Sequence, residues 1–269
     1  MSDLIENPAG GYAFLPGIPA FSEGCTALSG YSVIHARFHR SVPLPAAYRA
    51  IEATLSSYDR PIAALCGVEL RIPEQLEVEA FRTLNKAYIE QLRDRWELFV
   101  DGVNPVPRCN LALTVDPVSM PALHGFSFTV KADRTRPHFV TAGINDAAMI
   151  YGSKVFQQVA SGEPLERAST APKVGDGSSI VVERRLRLIL AKASARLAAL
   201  GVSWNDATQV ELYLARPIAD LLERVVLPEI GLAGHAGLRW FVGLAPFIGP
   251  EAEMDVRGFS NEIILDPPK

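Results

Sequence analysis

Phe81-Arg82-Thr83-Leu84-Asn85-Lys86-Ala87-Tyr88 is the stretch from which the fold is read. Phe81, Leu84, Tyr88 and Leu92 recur at steps of three and four, so they share one stripe of a helix. Glu77, Glu79, Lys86, Glu90 and Arg93 fall mostly off that stripe. On its N-terminal side, Ile62 to Ile72 is rich in Leu, Ile and Val and is closed by Pro73, which reads as a strand. Further upstream Tyr48, Ile51, Leu55 and Tyr58 mark another helix, with Pro45 at its start, where a missing N–H costs nothing. A Gly/Pro-rich lead, Met1 to Pro19, and a strand-like run, Ser29 to Phe38, come first. Downstream, Arg108 to Val115 and Gly125 to Val130 read as two more strands.

The second half repeats that order. Phe139 to Gly143 and Ala148 to Gln157 read as strands, followed by a polar loop, Gln158 to Gly177. Ser178 or Ser179 caps a helix carrying Leu186, Leu190, Ala193, Leu197 and Leu200, and Gly201 is its natural stop. Ala207 to Leu214 (strand), Pro217 to Ile230 (helix), and Leu238 to Leu244 and Glu253 to Phe259 (strands) complete the half. Each half therefore reads β-β-α-β-α-β-β, an α+β module of one mixed sheet with two helices on one face. The charged segment Lys131 to Pro137 is the boundary, giving modules 1–133 and 134–269. The other face of each sheet needs covering, which predicts self-association.

A net charge of -4 argues against general affinity for nucleic acid or anionic lipid. No apolar run reaches the ~18 residues of a membrane span, and no leader pattern opens the chain, so a cytoplasmic protein is expected. Cys25, Cys66 and Cys109 are odd in number and far apart, which suits reduced thiols and offers no zinc spacing. His35 and His39 have the outer spacing of a helical zinc motif but lack its glutamate and sit in a strand-like run. No nucleophile elbow, phosphate loop or dinucleotide fingerprint is present. Neither metal nor cofactor is expected.

Five local motifs resemble the Rid/YjgF family of imine and enamine deaminases. Pro19-Ala-Phe21-Ser22-Glu23-Gly24 is similar to the family's N-terminal Pro-Tyr-Ser-Gln-Ala signature, with Phe21 at the tyrosine position. The helix Phe81 to Tyr88 resembles the Phe-x-x-Met-Asn-x-x-Tyr run, and Pro107-Arg108 the approach to the substrate-binding arginine. Ala199 to Asp206 resembles the family's helix–strand junction, and Leu244-Ala-Pro246 through Glu253-Met-Asp255 its closing segment. Phe139 takes the tyrosine position in the second half, and the last strand of the first half carries no glutamate.

The resemblance implies two tandem Rid-like, chorismate-mutase-like modules, with a pocket between neighbouring modules. It implies a cofactor-independent hydrolase of a small carboxylated imine, enamine or aminomuconate-like metabolite. Arg108 and Arg239 are the expected carboxylate anchors, Glu253 orients water or moves a proton, and Phe21 and Phe139 line the pocket. Cys109, next to Arg108 on a strand, is expected on the opposite face. Rings of three modules, two per chain, favour a homotrimer. A non-catalytic metabolite-binding protein using the same clefts is the alternative.

Overall fold

The computed structural model describes residues 4–147, 179–216 and 219–267. The described residues form an α+β fold of two mixed sheets and four helices. Fourteen strands occur among the described residues: β1 (Ile5–Asn7), β2 (Tyr12–Leu15), β3 (Gly24–Ala27), β4 (Tyr31–Pro43), β5 (Leu65–Ile72), β6 (Arg108–Leu113) and β7 (Ala122–Lys131), then β8 (Phe139–Thr141), β9 (Ile144–Asn145), β10 (Gln209–Leu214), β11 (Leu238–Phe241), β12 (Gly243–Leu244), β13 (Ala252–Gly258) and β14 (Asn261–Leu265). The helices are α1 (Leu44–Ser57), α2 (Val78–Glu90), α3 (Ser179–Ala199) and the irregular helical stretch 219–230, α4. The strand expected over 148–157 and the loop over 158–177 lie outside the described residues.

One sheet has the order β12-β6-β5-β7-β4-β14. The other runs β1-β2-β3-β8-β13-β10-β11, with β9 also paired to β13. Each sheet draws strands from both halves of the sequence. The Gly/Pro-rich lead forms β1 to β3 and joins the second-half sheet through Cys25↔Val140. The C-terminal β14 runs parallel to β4, with Ile263↔Ala36. The expected boundary at 133/134 falls in the link between β7 and β8, and strands cross it in both directions.

Helices cover the outer face of each sheet. Ala47, Ile51 and Leu55 of α1 and Tyr88 of α2 are buried against Val68, Leu70, Phe126 and Phe128. Leu186, Leu190, Ala193 and Leu197 of α3 pack on Val210, Leu212, Met254 and Val256. Gly201, at φ 73°, ends that helix in the left-handed region that a side chain resists.

The inner faces meet each other, so the order of layers is α-β-β-α. Tyr12 donates its hydroxyl to the Leu65 carbonyl at 2.9 Å, and Tyr213 packs with Cys109 and Leu111. The cover that the sequence reading assigns to neighbouring chains is thus supplied within one chain. This seam is charged. Arg257 pairs with Glu69 at 2.6 Å and Asp255 at 2.9 Å, and Glu69 also meets His35 at 3.2 Å and Arg71 at 3.5 Å. The alternation of β5 explains it, because Val68 and Leu70 point to the helices while Glu69 and Arg71 point inward.

Candidate active site

At one end of the seam the two sheets part around a pocket. Along its other edge β6 is paired with β12 only at Ala112 and Leu113, so Arg108 to Asn110 meets the second sheet directly. The Gly143 N–H donates to the Arg108 carbonyl at 3.1 Å, which brings the β8–β9 turn and β13 against β6.

Arg108, the first residue of β6, is 3% exposed. Its Nη2 donates to Asn85 Oδ1 at 2.8 Å, and its guanidinium lies 4.8 Å from the Tyr88 ring centre and 5.2 Å from that of Phe21. The helix motif Asn85-x-x-Tyr88 therefore holds the arginine from behind. Nη1 has no hydrogen-bond partner, and among the described residues no carboxylate lies within ion-pair distance of this side chain. Burial pulls its pKa down, the cost of a desolvated cation without a counter-ion. Such a group is a built receptor for an anion.

Across the pocket Glu253 of β13 is 2% exposed. It accepts from the Cys109 thiol at 3.3 Å and from Asn145 Nδ2 at 3.5 Å. Burial pushes its carboxyl up to about 7, against those hydrogen bonds and the attraction of Arg108. A carboxyl poised there gives and takes protons near neutral pH. Gly143 makes the room, since a Cβ on it would collide with Glu253 Oε1. Asn110, two residues after Arg108, shares its face of β6, and the stacked rings of Phe81 and Phe247, 5.2 Å apart, wall the pocket. The pocket opens toward solvent, with about 30 Å³ of free space between these walls.

Three of the five residues singled out from sequence, Phe21, Arg108 and Glu253, surround this pocket. The other two lie elsewhere. Phe139 is fully buried in the core beneath α3, where its ring packs beside Gly258. Arg239 makes a two-pronged pair with Glu262, both contacts 2.9 Å, and its side chain is 39% exposed. The register gives the reason. Leu238 pairs with Val210 as Arg108 pairs with Val68, so Arg239 holds the place of Cys109. One residue of offset on a strand turns a side chain to the other face. By the same comparison Ala122 in β7 holds the place of Glu253, since Ala122 pairs with Arg71 and Glu253 with Tyr213.

Cys109 does point away from Arg108, into the seam, yet its thiol reaches Glu253. Asn110, Gly143, Asn145 and Phe247 are not singled out in the sequence, and Phe81 is singled out there only as part of the helix motif. The signals that could have found them are the place of Phe81 in that motif and the spacing of two between Arg108 and Asn110. His35, half of the rejected zinc spacing, is buried beside Glu69, while His39 is exposed. Among the described residues no cluster of His, Cys, Asp and Glu is arranged to hold a metal, and no helix is long and apolar enough to cross a membrane.

A deaminase family has a sequence model that matches residues 4–263, nearly the whole chain: that of the 2-aminomuconate deaminase CnbZ. The chain belongs to this family, which is distinct from the Rid/YjgF family that its motifs resemble. It is 33% identical, over 98% of its own length and 100% of the relative's, to the 2-amino-5-chloromuconate deaminase of Comamonas testosteroni. A crystal structure of a chorismatase at 1.08 Å resolution superposes with a TM-score of 0.38 and 10% identity, covering 90% of this chain and 78% of that one.

Proposed function

We propose that this chain deaminates a small, conjugated, carboxylated enamine of the 2-aminomuconate kind, at the pocket between Arg108 and Glu253. The observation that carries the reading is the buried guanidinium of Arg108, with Nη1 bare and no carboxylate of the described residues within ion-pair distance. A substrate carboxylate supplies the missing charge, and two-pronged binding fixes its orientation.

The reaction is a balanced hydrolysis. Glu253 in its acid form protonates the enamine carbon, and the C=C–N unit becomes an iminium. Water then adds through oxygen to the carbon bearing nitrogen, giving its proton to the Glu253 carboxylate. The hydroxyl proton of the adduct passes to nitrogen, relayed by Glu253, the C–N bond breaks, ammonia leaves, and a ketone remains. Enamine plus water gives oxo acid plus ammonia, with Glu253 restored, so no oxidant, metal or organic cofactor enters the balance. The rings of Phe21, Phe81 and Phe247 suit the flat face of a conjugated chain. A cytoplasmic setting and a trimeric assembly belong to the same proposal, although the described pocket is lined from one chain.

The test is ammonia release from freshly generated 2-aminomuconate, followed with the loss of diene absorbance. Release well above the spontaneous rate is expected. A rate equal to the spontaneous one would contradict the proposal.

A further inference from the structure

We infer that Asn110 recognises the departing nitrogen of the substrate, an inference that rests on the deaminase reading above. Asn110 is 3% exposed and lines the pocket, yet both Nδ2 and Oδ1 are without a hydrogen-bond partner. Two other buried amides, Asn7 and Asn104, use both ends, and Asn85 and Gln209 each use one, whereas Asn110 uses neither. Asn7 donates to the Ala63 carbonyl and accepts from the Gly10 N–H. Asn104 donates to the Pro19 carbonyl and accepts from the Val106 N–H. A buried amide bare at both ends is costly and calls for an occupant that is a donor and an acceptor at once.

The position of Asn110 identifies that occupant. Arg108 and Asn110 lie two residues apart on one face of β6, roughly 7 Å between Cα atoms, so their side chains converge on one small group. An α-amino or α-imino carboxylate places an acceptor and an N–H donor on adjacent carbons. With the carboxylate on Arg108 Nη1, Asn110 Nδ2 donates to a carboxylate oxygen and Oδ1 accepts the N–H. Holding the nitrogen by its hydrogen keeps its lone pair in conjugation while the neighbouring carbon is protonated. The residue thus sets specificity for nitrogen over oxygen at the reacting carbon, an assignment that neither the family match nor the motif resemblance makes.

Two stable flat acids separate this role from pocket shape. Pyrrole-2-carboxylate carries an N–H beside the carboxylate-bearing carbon, and furan-2-carboxylate carries an oxygen without hydrogen at the same place. Calorimetric titration of the wild-type chain is expected to show about a tenfold preference for the pyrrole acid, the worth of one satisfied buried hydrogen bond. Asn110→Leu and Asn110→Ala are each expected to reduce it to about twofold or less, by that same loss, while both acids still bind. The alanine variant carries the test if thermal melting shows the leucine variant unfolded. No preference in the wild type, or an undiminished one in the folded variants, overturns the inference. Ammonia release from 2-aminomuconate by the wild type is measured alongside. Turnover without a pyrrole preference removes the role of Asn110 alone, whereas a preference without turnover removes the deaminase reading.

Discussion

Arg239 occupies in its sheet the place that Cys109 occupies in the other. Each is paired across a parallel ladder to a buried glutamate, Arg239 to Glu211 and Cys109 to Glu69. The residue in the place of Arg108 is Leu238, and the one in the place of Glu253 is Ala122. The pseudo-equivalent location, between Leu238 of the second sheet and Ala122 of the first, therefore lacks both the arginine and the carboxylate. On the proposed reading the described residues form one such pocket, from an arginine of the first half and a glutamate of the second.

If Glu253 donates the first proton, activity should follow its acid form. Its carboxyl is pushed up to about 7 by burial, so kcat/KM is expected to fall about tenfold per pH unit above that value and to level off below it. A profile measured between pH 5 and 9 checks this.

Glu253→Gln should lower kcat by about 10²–10⁴ and at the same time stabilise the fold at alkaline pH. The folded chain holds the Glu253 proton up to about 7, whereas the unfolded chain releases it near the ordinary glutamate value. The stability this group contributes is therefore present at low pH and lost as pH rises through that window. Urea unfolding at pH 8 should show the glutamine variant more stable, by on the order of 2–3 kcal/mol, with the difference vanishing near pH 4.

Gly143→Ala should act chiefly through Glu253. The three atoms nearest the new methyl group all belong to the Glu253 side chain, so the carboxylate has to swing aside. At least a tenfold drop in kcat is expected, since small misplacements of a reacting group are expensive. Melting temperatures provide the control, because any destabilisation should disappear when Gly143→Ala is placed on a Glu253→Ala background.

Removing the central cation of the seam should be far more damaging than removing Arg239. Arg257→Met leaves Glu69, Asp255 and Glu211 short of a partner in a buried space. A loss of about 3–5 kcal/mol in urea unfolding is expected. Arg239→Ala breaks a half-exposed pair and should cost about 1 kcal/mol or less.

The helices were legible because their apolar residues keep a helical period, as Tyr48, Ile51, Leu55 and Tyr58 do on α1. Long apolar strands such as β5 were legible for a similar reason. The three N-terminal strands were not, because three- and four-residue strands set among glycines and prolines show no alternation long enough to read. Strand β14, five residues after a turn, escaped in the same way. Arg108 and Glu253 could be found because local motif and chemistry agree there. The fate of Arg239 was hidden, since its side chain's direction depends on a register that only the folded ladder fixes. The bare sheet faces were real, but the chain covers them with its own second sheet, a long-range pairing that no local pattern records.

The most direct measurement compares ammonia release from 2-aminomuconate by Arg108→Ala and Arg239→Ala, both confirmed folded. The account expects the first to lose at least a hundredfold in kcat/KM, on the order of the 2–5 kcal/mol attached to a buried charge-assisted anchor, and the second to stay within about twofold, as for a surface pair. Equal losses in both, or an Arg108→Ala chain as active as the wild type, would contradict it.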